Sequence, residues 1–252
     1  MIRSGMVAIF AASLSLLSSG ILAGGGHGAH WGYEGPEGPE HWAELSEEYA
    51  TCGTGTRQSP IDIPAAIPAK LPPIEFDFEH ATLEILNNGH TIQVNHDENS
   101  SITVNGEQFD LLQFHFHTPS ENTVGGKHHD MELHMVHKSA KGQLAVVGVF
   151  MKKGKENKVL RNIWEHMPDG AGDKKRVSSV RIHPADLLPA DRSYARFNGS
   201  LTTPPCSEGV KWFVMQNPIE VSAEQIEKFT KTVSENNRPV QPLNGRFVLT
   251  GL

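Results

Sequence analysis

Hydrophobic and polar residues alternate along the middle of the chain, which is the pattern of strands that face a core on one side. In LLQFHFH (111–117), the alternation predicts a strand with Leu112, Phe114 and Phe116 on one face. The opposite face then carries Leu111, Gln113, His115 and His117. Both imidazoles of this segment therefore project from the same side of the predicted strand.

A second strand with the same alternation follows after a loop. In MELHMVH (131–137), Glu132, His134 and Val136 share one face, opposite the methionines and the leucine. The intervening segment contains Pro119 and Gly125, which are typical of a loop that reverses the chain. Antiparallel pairing across this loop would bring His134 opposite the two histidines of the first strand. Three imidazoles are therefore expected to converge.

Two further segments also predict strands. SITVNGEQFDLL (101–112) predicts a hairpin that turns at Asn105 and Gly106. QLAVVGVFMK (143–152) is apolar on both faces, so we expect it to form a central strand of the sheet. Strands therefore dominate the predicted fold.

The helical segments are few and short. ENKVLRNIWEHM (156–167) and VSAEQIEKFTKTV (221–233) have helical spacing, and Ser222 is placed to cap the second helix. No internal repeat or linker interrupts the chain after about residue 30. We therefore expect a single domain of the mainly β (α+β) class. It should be built on a large, mostly antiparallel twisted central sheet with peripheral short helices.

Composition supports this interpretation and excludes some functions. The chain has 252 residues, of which 38% are hydrophobic, and this suits one globular domain with a sizeable core. Its formal net charge of -7 argues against a nucleic-acid partner. The short basic run KKR (174–176) is interpreted as a solvated loop.

The N-terminal residues have the features of an exported protein. Arg3 precedes the apolar stretch GMVAIFAASLSLLSSGILA (5–23), and Ala23 is a suitable cleavage residue. A retained membrane anchor is the alternative, because the stretch approaches spanning length. Its serines, glycines and small-residue exit favour cleavage. We expect a signal peptide over 1–23 and a mature domain over 24–252, with no membrane attachment after cleavage and a periplasmic or secreted location.

Cys52 and Cys206 are the only two cysteines of the chain. In an oxidising compartment an isolated pair predicts one disulfide, whereas in the cytosol both would be buried thiols. The export signal favours the disulfide. Closure of so long a loop would stabilise the fold by about 5 kcal/mol at most, through the entropy of the unfolded chain.

The converging histidines predict a metal site. Three neutral imidazoles with a fourth position left open are the ligand set of a catalytic zinc, whereas structural zinc has four protein ligands. Gln113 and Glu132 each precede a histidine by two residues on the same strand face. Each can therefore hydrogen-bond the ring nitrogen that the metal does not use, which fixes the tautomer.

Two other interpretations of the histidines were considered. Ordinary surface histidines would explain one HxH motif, but not its pairing with a second ExH strand. A cupin site would add Glu121 as a ligand, four residues after His117. The flanking glycines of that motif are missing, because Phe109 and His128 stand at their positions.

Seven motifs, taken together, resemble one family over nearly the whole mature chain. They are HWGYEGPEGPEHW (30–42), RQSPIDI (57–63), NNGHT (87–91), QFHFH (113–117), ELHMVH (132–137), LTTPP (201–205) and NNRPVQPLNGR (236–246). The chain resembles the alpha-class carbonic anhydrases, and its signal peptide and cysteine pair resemble the exported bacterial members. Thr118 and Asn122 depart from the animal members, which carry tryptophan and histidine at these positions.

The resemblance implies an enzyme with one Zn²⁺ per chain, held by His115, His117 and His134. It implies reversible hydration of CO2 to bicarbonate and a proton through attack by zinc-bound hydroxide. Thr202 would orient the hydroxide while donating a hydrogen bond to Glu121.

The resemblance also implies contacts to the substrate. Thr203 and the backbone N–H of Thr202 would contact the substrate. An apolar pocket for CO2 would be formed by Val136, Val146, Leu201 and Trp212.

Proton export is the last role that the resemblance implies. His90 would shuttle the proton to solvent, and Tyr33, Asn88 and Gln93 would order the water between.

The partners are the small molecules CO2 and bicarbonate, with no nucleic acid, while the oligomeric state stays open between a monomer and a homodimer. Two alternative functions belong to other classes. One is a binding or structural protein that keeps the fold without zinc chemistry, which loss of a ligand histidine would signal. The other is a zinc buffer that uses GGGHGAH (24–30) and KHHD (127–130) as metal-binding loops.

Overall fold

The computed structural model describes residues 29–64, 66–96 and 99–251. The predicted signal peptide over 1–23 lies outside the described residues. Among the helices that the structure describes, none is both long and apolar enough to span a membrane.

Strands make up most of the described secondary structure. They are β1 (Asp62–Ile63), β2 (Ile67–Ala69), β3 (Ile74–Asp77), β4 (Ala81–Asn87), β5 (Ile92–Asn95), β6 (Ser101–Val104), β7 (Glu107–His117), β8 (Thr123–Val124), β9 (Lys127–His128), β10 (Met131–Lys138), β11 (Leu144–Lys153), β12 (Lys174–Ile182), β13 (Tyr194–Ser200), β14 (Glu208–Val221) and β15 (Leu249–Gly251). The helices are α1 (Trp42–Leu45), α2 (Thr51–Thr54), α3 (Lys158–Trp164) and α4 (Ala223–Val233), with 3₁₀ turns at Gly35–Glu37, Glu47–Tyr49 and Pro184–Leu187.

Twelve of the described strands form one large sheet, which confirms the predicted fold class. The strand order is β12-β4-β5-β7-β10-β11-β14-β13-β15-β2, and β6 joins β3 to β7. Most neighbours are antiparallel, but β11 and β14 near the centre pair in parallel, as do β15 and β2 at one edge. Hydrophobic periodicity identifies a strand without identifying its partner, so the parallel pairs were not predicted. A separate small sheet contains β1, β8 and β9.

The predicted turn and helices are observed. Asn105 and Gly106 join β6 to β7 with φ angles of 57° and 77°, in the left-handed region that this hairpin turn requires. α4 begins after Ser222, whose side chain accepts from the Gln225 backbone N–H while the Gln225 side chain bonds back to Ser222. This reciprocal cap satisfies two backbone donors that would otherwise lack partners at the helix start.

A β-bulge corrects the predicted orientation of two leucines. The pairing of β7 with β10 shifts between Val136, which faces Gln113, and His137, which faces Leu111. Leu112 is therefore the extra residue, and the alternation changes phase at this point. Leu111 is 3% exposed in the core and Leu112 is 41% exposed, so the two predicted faces were wrong for this pair.

The basic run KKR (174–176) also differs from the prediction. It begins β12, the edge strand that pairs with β4, and its three side chains are exposed. The run is therefore solvated, as predicted, but it lies in a strand and not in a loop. Exposed cations on an edge strand oppose pairing with other chains, because the charges would have to be desolvated.

Two hydrophobic clusters lie on the sheet. The larger includes Phe114, Phe116 and Leu133, and the helices α3 and α4 pack against it. The second includes Val146 and Trp212. Because side chains alternate between faces along a strand, the histidines of β7 and β10 project to the side of this second cluster.

Candidate metal centre and active site

Three histidines converge where β7 lies beside β10. The antiparallel register pairs His115 with His134 and His117 with Glu132. One nitrogen of each histidine ring lies within 4.8 Å of those of the other two. The predicted convergence is therefore observed, and it is the only such group of His, Cys, Asp or Glu side chains in the part of the chain that the structure describes.

The two predicted orienting residues contact their histidines. Oε1 of Gln113 lies 2.9 Å from Nδ1 of His115, and Oε1 of Glu132 lies 3.2 Å from Nε2 of His134. The Gln113 contact occupies Nδ1 of His115 and leaves its Nε2 available to a metal, whereas Nε2 of His134 is buried near the Glu132 carboxylate without a hydrogen bond. The spacing of two residues places acceptor and ring on one strand face, as the sequence pattern indicated.

The third histidine is oriented by a residue that the sequence analysis missed. The backbone carbonyl oxygen of Asn236 lies 2.7 Å from Nδ1 of His117. The Asn236 side chain donates to the carbonyl oxygens of Phe116 and His90, which holds the 236 segment against β7. A backbone carbonyl 119 residues away has no side-chain pattern. Only the NNRPVQPLNGR motif pointed to this segment.

Asn122 fixes the carboxylate of Glu132. Its backbone N–H and its side-chain Nδ2 each donate at 2.8 Å to a different oxygen of Glu132. Its Oδ1 accepts from the backbone N–H of Ile61 at 3.1 Å. This asparagine is one of the two departures from the animal members, and it makes the contacts that hold Glu132 against His134.

The three imidazoles are suited to bind a metal cation. Burial lowers the pKa of each ring, and neighbouring imidazoles lower the pKa of His115 and His134 further. The pKa of His117 falls to about 4 through burial, although the Asn236 carbonyl and Glu132 oppose the shift. The neutral ring is the form that ligates metal. Nε2 of His117 is buried without a hydrogen-bond partner, which is the expected condition of a ligand nitrogen.

Glu121 is fully buried beside the histidines, but other groups hold its carboxylate. Oε1 accepts from the Arg238 backbone N–H at 2.9 Å, and the Thr202 hydroxyl also donates to this carboxylate. Oε2 lies 3.5 Å from Nε2 of His117 and 3.7 Å from Nδ1 of His134. Burial raises the pKa of Glu121 to about 8, while the Arg238 and Thr202 hydrogen bonds favour the ionised form. Glu121 therefore engages Thr202, and the cupin interpretation is not supported.

An apolar wall lies next to the histidines. Val146 pairs with Val136 on one side and with Trp212 on the other, so these three residues cross the sheet in one row. Leu201 packs against the same cluster. The ring centroid of Trp212 is 4.9 Å from that of His134. The four residues predicted to form a substrate pocket therefore lie together beside the metal ligands.

His90 lies in a turn after β4. The Asn88 side-chain oxygen accepts from the His90 backbone N–H at 3.0 Å. The imidazole stacks on Trp31 with centroids 3.7 Å apart, and the Tyr33 ring lies 6.5 Å away. Burial and the nearby His30 lower the pKa of His90. Trp31 was missed as a contact, although it belongs to the quoted HWGYEGPEGPEHW motif.

The other residues with predicted roles in proton transfer or substrate contact are placed as follows. Gln93 pairs with His115 across β5 and β7, and its Nε2 donates to Asn95. Burial and the charge of Glu121 raise the pKa of Tyr33 well above its usual value. Thr203 is half-buried, and its carbonyl accepts from the Cys206 backbone N–H at 2.8 Å.

The histidines of KHHD (127–130) do not form a metal cluster. Nδ1 of His128 lies 2.6 Å from the Ser120 carbonyl, and the ring of His129 packs on Phe150 with centroids 4.4 Å apart. Neither belongs to a ligand group among the described residues. The zinc-buffer hypothesis therefore gains no support from this segment.

Cys52 and Cys206 form a disulfide, as predicted for an oxidising compartment. The bond joins positions 154 residues apart and connects α2 to the segment after Thr202. Both sulfurs lie in a small cluster with Trp42 and Tyr49.

We expect Cys52→Ser to lower the stability of the oxidised protein by as much as about 5 kcal/mol, because the unfolded chain regains loop entropy. The initial rate of CO2 hydration should stay near normal at moderate temperature. Denaturant unfolding and rate measurements on the same samples test both statements. Two reactive thiols in the native protein before mutation would show that the bond does not form.

Comparison with known proteins identifies the family. Residues 37–251 match the family model described as eukaryotic-type carbonic anhydrase. A carbonic anhydrase of Klebsiella pneumoniae is 47% identical over 224 residues, covering 88% of this chain and 91% of that protein. An alpha-carbonic anhydrase of Thermovibrio ammonificans, solved with the inhibitor sulfanilamide, is 51% identical with a TM-score of 0.86, over 88% of this chain and 99% of that one. The Photobacterium profundum enzyme is 48% identical with a TM-score of 0.83, over 87% of this chain and 100% of that one.

The large sheet and the three histidines, which could hold a metal ion, define an enzyme of the carbonic anhydrase class. The chain belongs to the alpha-class carbonic anhydrase family, whose members hydrate CO2 reversibly. The resemblance seen in the sequence motifs is thereby confirmed.

Proposed function

We propose that this protein is a zinc-dependent carbonic anhydrase that works outside the cytoplasm, with one zinc per chain. The observation that carries the proposal is the histidine triad, with a buried Nε2 on His117 that has no hydrogen-bond partner among the described residues. Zinc at these nitrogens would be a Lewis acid that lowers the pKa of a water in its open position to about 7, a value already established for carbonic anhydrases.

Thr202 would orient the nucleophile. Because its hydroxyl proton is donated to Glu121, its oxygen can only accept a hydrogen bond from the attacking group. That contact aims a lone pair at the carbon of CO2 and removes the entropy cost of alignment. Thr203 and the Thr202 backbone N–H would then contact the oxygens of the substrate.

The apolar wall would select the substrate. CO2 carries no charge and forms weak hydrogen bonds, so Val136, Val146, Leu201 and Trp212 can hold it without a desolvation penalty. The same side chains would not retain charged bicarbonate, which favours release of the product.

His90 would carry the proton to solvent. Histidine is the side chain whose unperturbed pKa lies near neutrality, which suits it to accept a proton from an acid of pKa about 7. Burial and His30 lower the pKa of His90, which favours release of that proton to buffer. The side-chain NH2 group of Asn88, Gln93 and the Tyr33 hydroxyl would order the water along this route. The stacking on Trp31 supports a defined position for the ring.

We expect His90→Ala to lower kcat in weak buffer by about 10-fold or more while kcat/KM at low CO2 stays nearly intact. The two parameters separate because conversion of CO2 does not involve His90, whereas proton export does. Added imidazole should restore kcat in a concentration-dependent manner. A parallel fall of both parameters without imidazole rescue would assign His90 a different role.

Location and assembly follow from separate observations. The Cys52–Cys206 bond supports an oxidising compartment, in agreement with the signal peptide proposed over 1–23 and the mature domain over 24–252. The mature protein would be periplasmic or secreted and would act on dissolved CO2 and bicarbonate, without a nucleic-acid partner. The proposal holds for a monomer and for a homodimer, because all site residues come from one chain.

The decisive test is stopped-flow CO2 hydration by the mature protein before and after removal of metal by a chelator. We expect activity to disappear with the zinc and to return when one equivalent per chain is added back. Activity that is indifferent to chelation would contradict the mechanism. Several weakly bound metals without hydration would instead support the buffering function.

A further inference from the structure

We infer that the guanidinium of Arg238 is a positioning residue for the Thr202–Glu121 pair, because a closed network of buried contacts passes through it. The inference rests on the proposed function of Thr202 and Glu121. Its basis is that the contacts of Arg238 lead to Glu121 and to both ends of the segment that carries Thr202.

Arg238 binds Glu121 through its backbone and other segments through its side chain. The backbone N–H donates to Glu121, as described above. Nη1 donates to Oε1 of Gln58 at 2.9 Å and to the Ser59 carbonyl at 2.8 Å, and Nη2 donates to the Cys52 carbonyl at 2.9 Å. The side chain is 1% exposed. A buried cation with all these acceptors fixes three separate chain segments relative to one another.

The residues held by Arg238 in turn hold the Thr202 segment at both ends. Before Thr202, the backbone N–H of Ser59 donates to Oγ of Ser200 at 2.9 Å, and the backbone N–H of Ser200 donates back to Oγ of Ser59 at 3.1 Å. After Thr202, Nε2 of Gln58 donates to the Cys206 carbonyl at 3.0 Å. The adjacent residues Gln58 and Ser59 therefore hold Ser200, two residues before Thr202, and Cys206, four residues after it.

These contacts close a ring. From Thr202 the ring passes to Glu121 and Arg238, then through Gln58 and Ser59, and returns to the Thr202 segment through Ser200 and Cys206. The separation between the Thr202 hydroxyl and the Glu121 carboxylate is thus set by the guanidinium of Arg238 as well as by the strands. The Cys52–Cys206 bond joins two of the same segments covalently.

The positive charge of Arg238 and its contact with an aromatic ring favour an arginine in this position. Burial lowers the pKa of Arg238 to about 10, so the guanidinium stays protonated at neutral pH. The Trp42 ring covers it, with the guanidinium carbon 5.5 Å from the ring centroid. A lysine at this position would keep the charge but would lack the planar arrangement of donors, so it could not satisfy the three carbonyl acceptors in the same geometry.

The test is a double-mutant cycle between Arg238→Lys and Thr202→Ala, read as kcat/KM for CO2 hydration by the zinc-loaded enzyme. Arg238→Lys should lower kcat/KM by about 10-fold when Thr202 is present, because small misplacements of an orienting group are costly. In the Thr202→Ala background the same change should lower kcat/KM by less than about 2-fold, since there is no hydroxyl left to position. Zinc content should stay at one per chain in all four proteins.

A structural role alone would give a different pattern. If Arg238→Lys lowers kcat/KM equally in both backgrounds, or not at all when Thr202 is present, the inference is wrong. If Thr202→Ala itself retains parental kcat/KM, the proposed role of Thr202 fails first and the role of Arg238 with it. The two failures are therefore distinguishable.

Two further variants complete the experiment. Gln58→Met removes one of the two acceptors of Nη1 and the donor to the Cys206 carbonyl without adding a buried charge, and it should reproduce the non-additive pattern if Arg238→Lys does not fold. Ser222→Ala removes the cap of α4, and the cap hydrogen bonds of Ser222 join it to Gln225, which is not part of the ring of contacts. It should lower the denaturant midpoint while kcat/KM stays at the parental value, and a fall in its kcat/KM would show that lost stability alone explains the Arg238 result.

Discussion

Replacing His134 with alanine should abolish stoichiometric zinc binding and lower kcat/KM for CO2 hydration by more than about 100-fold. The reason is that the other two proposed ligands, His115 and His117, both come from β7, so only His134 would supply a ligand from β10. Two imidazoles on one strand cannot complete a three-ligand shell. Metal analysis after dialysis and stopped-flow hydration are the two measurements.

The matched control is Glu132→Gln, which keeps the shape of the side chain that orients His134. Because Glu132 contacts the ring and not the metal, we expect a smaller loss of zinc affinity or activity, about 10- to 100-fold. Tight stoichiometric zinc in His134→Ala would reveal a ligand outside the triad. Unchanged zinc affinity and rate in Glu132→Gln would remove Glu132 from its orienting role.

Thr202→Ala should lower kcat/KM by about 100-fold while zinc content stays at one per chain. The change removes the hydroxyl that we propose accepts from the nucleophile, and it also deprives the buried Glu121 carboxylate of a donor. The Arg238 N–H still contacts Glu121, so the surrounding structure should persist. Metal analysis, kcat/KM and the free energy of unfolding separate these effects.

Thr202→Ser provides the control, since it retains the hydroxyl and loses only a methyl group. We expect its kcat/KM to stay within about 10-fold of the parental value, because serine has more rotamer freedom than threonine. Parental activity in Thr202→Ala would contradict the orienting role. Loss of zinc in that variant would show that Thr202 acts through metal binding and not through alignment of the nucleophile.

The histidine triad was predictable because its signals are local. Strand alternation puts His115 and His117 on one face, and the reversal before β10 brings His134 beside them. Gln113 and Glu132 are two residues from their histidines, so the same periodicity aligns them. The bulge at Leu112 was not predictable, because both leucines of the pair are apolar and the pattern has no preferred phase there.

Asn236 and Arg238 illustrate what local patterns cannot supply. The Asn236 carbonyl that orients His117 is a backbone group, and every residue has one. The acceptors of the Arg238 side chain lie 179 to 186 residues away in the chain. The resemblance of NNRPVQPLNGR to a known motif marked this segment without explaining its contacts.

By itself, the sequence determined the mainly β class and the convergence of His115, His117 and His134, because both depend on residue type and short-range spacing. It also determined the pairing of the two cysteines, because the chain has no others. Only the tertiary structure decided the parallel pairing of β11 with β14, the stacking of His90 on Trp31, and the ring of contacts through Arg238. The physical reason is that these features join segments far apart in the chain. Their partners are selected by packing and by the hydrogen-bonding needs of buried polar groups in the complete fold.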